Sequence, residues 1–202
     1  MLISWSAGLD STYLLLCVLF PHNNEPTKSI RTISINSPQV LQYKKEKEQR
    51  KIIKRILKKS YGKTFDSQEV NISETKPGMI CNQLEGLSQP TLWVSLSTLY
   101  LDTNEDLYMG YVRGDDFWHF KKHVVKAFKS QQKLLGKKGK LLFPLEWKTK
   151  AKMISHLKKN FKDIYDNVTY CEENKEKPCG VCVCCKRHLL AEYESKKFKI
   201  KE

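Results

Sequence analysis

Two groups of residues, one near each end of the chain, have types and spacings that could do chemistry. The first is Ser6-Ala7-Gly8-Leu9-Asp10-Ser11. Small side chains there let backbone N–H groups approach phosphate oxygens, and the hydroxyls of Ser6 and Ser11 can donate further bonds. Asp10 would repel a phosphate, so it suits a magnesium ligand or a helix cap. The second group is Cys171, Cys179, Cys182 and Cys185, in the pattern C-x7-C-x2-C-x2-C. Zn2+ takes four thiolates tetrahedrally, and a C-x2-C step bends back to present both sulfurs to one ion. Gly180 can supply the turn, Pro178 stiffens the approach, and Lys186, Arg187 and His188 stand beside the site as compensating charge. Cys184 could replace Cys185 if the register slips, and His188 is a weaker substitute. An iron–sulfur cluster uses similar spacings, and free thiols are the remaining alternative. Five of the seven cysteines fall between Cys171 and Cys185, which points to metal rather than disulfides in a reducing compartment. Four thiolates leave no position for water, so the site is expected to be structural.

The first group needs a strand before it and a helix after it. Met1 to Trp5 is short and apolar, and Asp10 or Ser11 can cap a helix with the interior Tyr13-Leu14-Leu15-Leu16-Cys17-Val18-Leu19 that stops at Pro21-His22-Asn23-Asn24. The start of that helix adds unpaired N–H donors and the positive end of its dipole to the loop. Ile30 to Ile35 predicts a second strand. Lys44 to Ser60 predicts a long helix with Ile52, Ile53, Ile56 and Leu57 inward and lysines outward, closed at Tyr61-Gly62. Phe65 to Ile72 predicts a third strand. Strand and helix alternating in this way argue for a parallel α/β sheet. Further on, the pattern predicts a helix over Pro90 to Asp102 with Leu92, Trp93, Leu96 and Leu99 inward, and a strand over 106–112. It continues with a basic helix from Phe117 to Leu135, a loop at Lys137-Lys138-Gly139-Lys140, and a final core helix from Thr149 to Asn160. The tail beyond Tyr170 has few aliphatic residues and needs a staple to be ordered.

With 202 residues, of which 40% are hydrophobic and 29% charged, the chain can build one domain with a small appendage: 1–165 for the nucleotide-binding part and 166–202 for a metal-bound segment packed on it. No apolar run reaches the roughly 18 residues needed to span a bilayer, and no signal peptide is recognisable. A cytoplasmic protein with no membrane partner is therefore expected. A net charge of +14 favours a polyanionic partner such as nucleotide, tRNA or DNA; lysine spread over solvated helix faces accounts for the total without one and is the preferred reading of it.

Ser6-Ala7-Gly8-Leu9-Asp10-Ser11 resembles the Ser-Gly-Gly-x-Asp-Ser loop of the PP-loop ATP pyrophosphatases, and the cysteine spacing is similar to that of one branch, the 7-cyano-7-deazaguanine synthases. Gly110 with Asp115, and Pro144-Leu145 with Lys150-Ala151 and Met153-Ile154, resemble further stretches of that branch. The resemblance implies a Rossmann-like, adenine nucleotide alpha hydrolase-like fold with a parallel sheet. It implies ATP, Mg2+ and Zn2+ as cofactors, with ATP held at Ser6, Ala7, Gly8, Leu9, Asp10, Ser11 and Thr12 and zinc at the four cysteines. It also implies catalytic roles for Asp10, Ser11 and Lys150, Lys150 stabilising negative charge on ATP or the acyl-adenylate; on the residue pattern alone a surface lysine at a helix start is an equal alternative.

The implied reaction is adenylation of the carboxylate of 7-carboxy-7-deazaguanine, a 7-deazapurine carboxylate, followed by amide and nitrile formation with ammonia, as in queuosine precursor synthesis. Such chemistry needs positioning and charge stabilisation more than a protein nucleophile. Homodimers are usual in that family.

Departures from the family pattern are local. Ala7 stands where the family has glycine, at a cost on the order of 1 kcal/mol if φ is positive. Asn36-Ser37-Pro38-Gln39 replaces the family's Asp-Tyr-Gly-Gln, and Pro90 is followed by Thr91-Leu92-Trp93 rather than Arg-Asn. The pocket stretch Ser-Gly-Tyr-Pro-Asp gives way to Asp116-Phe117-Trp118-His119-Phe120-Lys121-Lys122-His123. Trp118 and Phe120 could stack a purine-like base, with Asp115 or Asp116 bonding its polar edge; otherwise Phe117 and Phe120 are core and Trp118 is a lid. His119 and His123, four apart, read as a solvated basic face or a metal pair. A variant enzyme could therefore stop at the amide or join the activated deazaguanine to another amine, including a protein acceptor, as part of an anti-phage defence system. Two rival classes are a tRNA-modifying PP-loop enzyme and a non-enzymatic zinc protein that binds nucleic acid.

Overall fold

The computed structural model describes residues 1–21, 29–37, 42–72, 89–173 and 177–198. Residues 22–24 of the expected helix stop, and Pro38 and Gln39, lie outside these. Five strands, β1 (Leu2–Ser4), β2 (Arg31–Asn36), β3 (Asp66–Asn71), β4 (Leu107–Tyr108) and β5 (Leu141–Leu142), form one sheet in the order β3-β2-β1-β4-β5. Every pairing is parallel. Both faces are therefore covered by helices, as parallel sheets require. Leu14, Leu15, Ile53, Leu57, Met153, Ile154 and Leu157, from α1 (Leu9–Leu19), α2 (Tyr43–Tyr61) and α5 (Lys150–Asn160), pack with Ile3 and Trp5 on one face. Val94, Val124 and Phe128, from α3 (Gln89–Leu99) and α4 (Lys121–Leu134), pack with Leu2, Ile33 and Leu107 on the other.

The chain corrects several expectations. Neither Asp10 nor Ser11 caps α1: Gly8 occupies the N-cap with no side-chain bond, and Asp10 lies in the first turn. β4 stops at Tyr108 instead of running to Val112, because the backbone beyond it turns across the start of α1. Leu141–Leu142, where the sequence reading places no strand, forms the edge strand β5. The helix expected over Phe117 to Leu135 is broken into a 3-10 turn, Asp116–His119, and α4. α3 turns Val94, Ser97 and Thr98 inward; of the expected face Trp93 is half-buried against that core, while Leu99 is exposed. Small residues on that face let α3 approach α4, where Gln131 Nε2 reaches the Ser95 carbonyl at 2.9 Å.

The helix at 150–160 is not the last core element. A short α6 (Lys162–Tyr165) follows, and then α7 (Val183–Lys197), whose Ala191 joins the same core as β1 and α5. Lys158 on α5 bonds Glu192 on α7. Among the described residues no helix is long and apolar enough to cross a membrane.

Candidate functional site

The loop after β1 lies where the strand order reverses: β2 and β3 continue to one side of β1, and β4 and β5 to the other. Crevices beyond the carboxyl ends of strands at such a switch point are the usual ligand sites of open α/β sheets. Two surface concavities, one around Leu19, Ile30 and Phe65 and one around Met1, Arg31 and Glu105, open at the opposite, amino end of the strands. By that topological argument they are not where a ligand is expected.

Ala7 has φ 70, the left-handed region, and is the sole non-glycine residue with positive φ among the described residues. Its methyl group is fully buried, so the backbone adopts this bend at a cost on the order of 1 kcal/mol. Strain of this kind persists only where surrounding structure holds it. The holder here is the C-terminal segment: Thr169 N donates to the Ala7 carbonyl at 2.9 Å, and Gly8 forms an isolated parallel bridge with Thr169. Inside the bend the hydroxyls bond one another. Ser6 Oγ and Ser11 Oγ are 3.1 Å apart, Gly8 N donates to Ser6 Oγ, and Ser6 N donates to Ser11 Oγ. Leu9 and Thr12 point into the core. Both are buried, and the Thr12 hydroxyl accepts from the Trp5 indole at 3.0 Å.

Gly110, beyond β4, passes directly over the start of α1. A Cβ there would lie 3.0 Å from the Cα and N of Ser11 and 3.1 Å from the carbonyl carbon of Asp10. The Gly110→Ala variant should therefore lose about 1–2 kcal/mol of stability through overpacking. Thermal melts of the variant and the parent check this.

On the β4 side, Asp10, Asp115 and Lys150 converge. Lys150 Nζ lies 3.0 Å from Asp10 Oδ2 and 3.8 Å from Asp115 Oδ1. Lys150 starts α5, whose N-cap Thr149 accepts from Lys152 N. The other Asp115 oxygen accepts from Val112 N at 2.9 Å. Asp10 Oδ1 is buried with no hydrogen-bond partner. Burial pushes the Asp10 carboxyl up to about 6, with Lys150 pulling down and Asp115 pushing up. The Lys150 ammonium is held above its ordinary range by Asp10 and Asp115, which outweigh its own burial. An orphaned carboxylate oxygen beside a second carboxylate suits a divalent cation.

The remaining candidates are spread around this centre. Trp118 is half-buried, its indole N–H donating to the Val112 carbonyl at 2.8 Å. Asp116 is exposed and pairs with Arg187 of α7 at 3.1 Å. Phe117 is buried and stacks on Tyr111 with centroids 3.9 Å apart, whereas Phe120 is 48% exposed. His119 and His123 are both exposed.

Two groups near the loop carry little sequence signal. Arg50 on α2 is 1% exposed, with Nη2 2.6 Å from Asn36 Oδ1 and Nη1 3.4 Å from the Ser6 carbonyl. Beside it, burial pushes Glu46 up to about 7 against the pull of Arg50. The inward stripe of α2 is thus Glu46, Arg50, Ile53, Leu57: polar where the helix starts beside the loop, apolar where it runs under the sheet. An arginine amid lysines was the only available hint.

The second group is the cysteine cluster's surroundings. The ligand atoms of Cys171, Cys179, Cys182 and Cys185 all lie within 4.8 Å of one another and could hold a metal ion such as zinc. The Cys179–Cys185 sulfur separation of 3.9 Å is close to the edge of about 3.8 Å in a tetrahedron with 2.3 Å metal–sulfur bonds. Gly180, at φ 75, makes the turn. Successive amides donate to the sulfurs: Cys179 N to Cys171, Cys182 N to Cys179 and Cys185 N to Cys182, each at 3.3 Å. Amide donation from Cys182 and Val181 pulls the Cys179 thiol down to about 6. Cys184 turns away to Glu172 Oε1 at 3.2 Å. His188 is buried, stacks on Tyr170 with centroids 3.6 Å apart and meets the Tyr165 hydroxyl at 3.1 Å. Neither residue belongs to the four-sulfur set, and Arg187 is engaged by Asp116.

No protein-family model matches the chain, and no curated protein does.

Proposed function

We propose that this chain is a PP-loop-type ATP pyrophosphatase that adenylates a carboxylate on a 7-deazaguanine-type base, with the four cysteines holding a structural zinc ion. The observation that carries the reading is the strained bend at Ala7, placed at the switch point between β1 and β4 with Asp10 and Lys150 on its rim. The Gly8 amide and the Ser6 and Ser11 hydroxyls would donate to ATP phosphates. Asp10 and Asp115 would hold Mg2+, which supplies charge neutralisation between the phosphates when bound. Lys150 would meet the negative charge that grows as the substrate carboxylate attacks the α-phosphorus and pyrophosphate leaves. An amine then displaces AMP from the acyl-adenylate. The bend and its neighbours orient these groups, and no side chain needs to form a covalent intermediate.

A second version of the reaction, with an amine other than ammonia as acceptor, is favoured by the β4–α4 connection. There the composition differs from the family's pocket stretch, Trp118 spends its N–H on Val112 and Asp116 is tied to Arg187. Incubation with ATP, Mg2+, 7-carboxy-7-deazaguanine and ammonia tests both. Nitrile with two pyrophosphates is expected for the synthase reaction, a second ATP carrying off the amide oxygen as AMP, and one pyrophosphate with amide or an acyl-adenylate for the variant. No pyrophosphate release with any carboxylated deazapurine would refute the proposal.

A further inference from the structure

From Phe117 to Leu145 the chain has no acidic residue and carries eight lysines and two histidines. Two of the lysines are spent on the fold. Lys121 pairs with Glu146 at 2.8 Å, and Lys137 Nζ bonds the carbonyls of Thr98 and Leu99. Four others, Lys122, Lys126, Lys129 and Lys133, follow one another on α4 at steps of four, three and four, which puts them on one helix face. All four are exposed, and no carboxylate among the described residues pairs with any of them. The stripe is about 17 Å long at 1.5 Å per residue. Four uncompensated like charges on one face repel each other, so the arrangement gains from a polyanion laid along it.

The stripe points somewhere. Its first residue, Lys122, lies next to the Lys121–Glu146 ion pair, which ties the loop bearing Asp115 to the loop leading into Lys150. Phe120, 48% exposed, and Trp147, 79% exposed, flank the two ends of that ion pair. Arg113, Lys148 and Lys152 are exposed on the same two loops and at the start of α5. Unstacked bases find faces on such aromatics while a basic groove tracks the backbone.

We infer that α4 and the Phe120–Trp147 rim form a binding surface for single-stranded nucleic acid, with its backbone on the lysine stripe and one or two bases against the exposed rings. Duplexes, whose bases are already stacked, gain only the backbone part. The inference uses none of the loop's chemistry and stands whether or not ATP is the nucleotide there.

Fluorescence anisotropy with labelled 20-nucleotide single-stranded RNA and DNA, from about 50 to 300 mM KCl, tests it. Four phosphate contacts give a slope of about −3 in log affinity against log salt. The Lys126→Glu/Lys129→Glu variant should bind at least about 10-fold more weakly with a shallower slope. Trp147→Ala should weaken binding without changing the slope, since it removes stacking and not charge. The control Lys44→Glu/Lys51→Glu, which reverses two exposed charges on α2, should bind as the parent does, and all variants should keep the parent's response to ATP and Mg2+. RNA binding more strongly than DNA, or the reverse, identifies the source. The inference is overturned if the α2 control loses as much affinity as the α4 variant. Equal binding of duplex and single strand overturns it too, as does tighter binding of polyglutamate or anionic vesicles than of RNA and DNA.

Discussion

If the cysteine cluster holds zinc, as proposed, removing it is expected to disrupt the proposed nucleotide loop as well as the C-terminal helix. Cys171 follows Thr169 by two residues, and Thr169 N holds the carbonyl of Ala7. Cys182 is the N-cap of α7. An ion held by the four thiolates would therefore join the start of α7 to the segment that keeps the loop in its left-handed bend. Structural zinc contributes roughly 10–16 kcal/mol in small zinc-dependent folds, more than the whole margin of stability of a typical domain. Chelation, or Cys179→Ser, should drop the melting temperature by more than about 10 °C, release about one zinc per chain and abolish thermal stabilisation by ATP and Mg2+. Readdition of zinc should restore the chelated protein and not the variant. A chelated protein that keeps its melting temperature and its ATP response would show that the cluster does not support the loop, and iron in place of zinc would replace the assigned ion.

The second large effect separates stability from function at Asp10. Its carboxyl is raised to about 6 from an ordinary 3.8, so the folded chain keeps a proton between those pH values that the unfolded chain releases. Stability therefore falls as pH rises through that window, by roughly 3 kcal/mol if the whole gap is realised. Asp10→Asn removes the ionisation. The variant should be more stable than the parent at pH 8, by up to about 3 kcal/mol, with the difference shrinking to nothing near pH 4. Glu46 contributes with the same sign up to about 7, and comparing variant with parent cancels it. Pyrophosphate release should meanwhile fall by at least about 100-fold, the scale expected when a preorganised charge is removed from a reacting centre. Denaturant melts across pH 4–8 and a pyrophosphate assay read the two halves. An Asp10→Asn protein less stable than the parent at pH 8, or one with turnover intact, would remove the carboxylate from the role assigned to it. The gain in stability upon losing function is what a site with a desolvated charge predicts.

Much of this organisation was readable in the amino-acid order. Alternating apolar segments announced parallel strands and helices because burial on both faces of a sheet leaves that pattern, and β1, β2, α2 and α5 follow it closely, whereas the edge strand β3 is polar and partly exposed. The cysteine spacing identified Cys171, Cys179, Cys182 and Cys185 because a C-x2-C step can meet one ion on its own. Where the outcome depended on long-range packing the order of residues was silent. β4 was cut to two residues by the passage of Gly110 over Ser11, a contact across 99 positions. β5 depends on an edge that exists only once β4 is in place. The inward side of α3 was set by how closely α4 could approach.

The chemistry divides along the same line. Local order selects the residues that can bend tightly or bind metal, since a small-residue turn and four spaced thiols need only their near neighbours. It says nothing of Lys150 meeting Asp10 and Asp115 from a separate helix, of Arg50 reaching beneath Ser6, or of Thr169 holding Ala7 in its bend. Each of these depends on distances between elements, and those are fixed by the sum of many buried contacts in the packed sheet and its helices, not by any single stretch of chain.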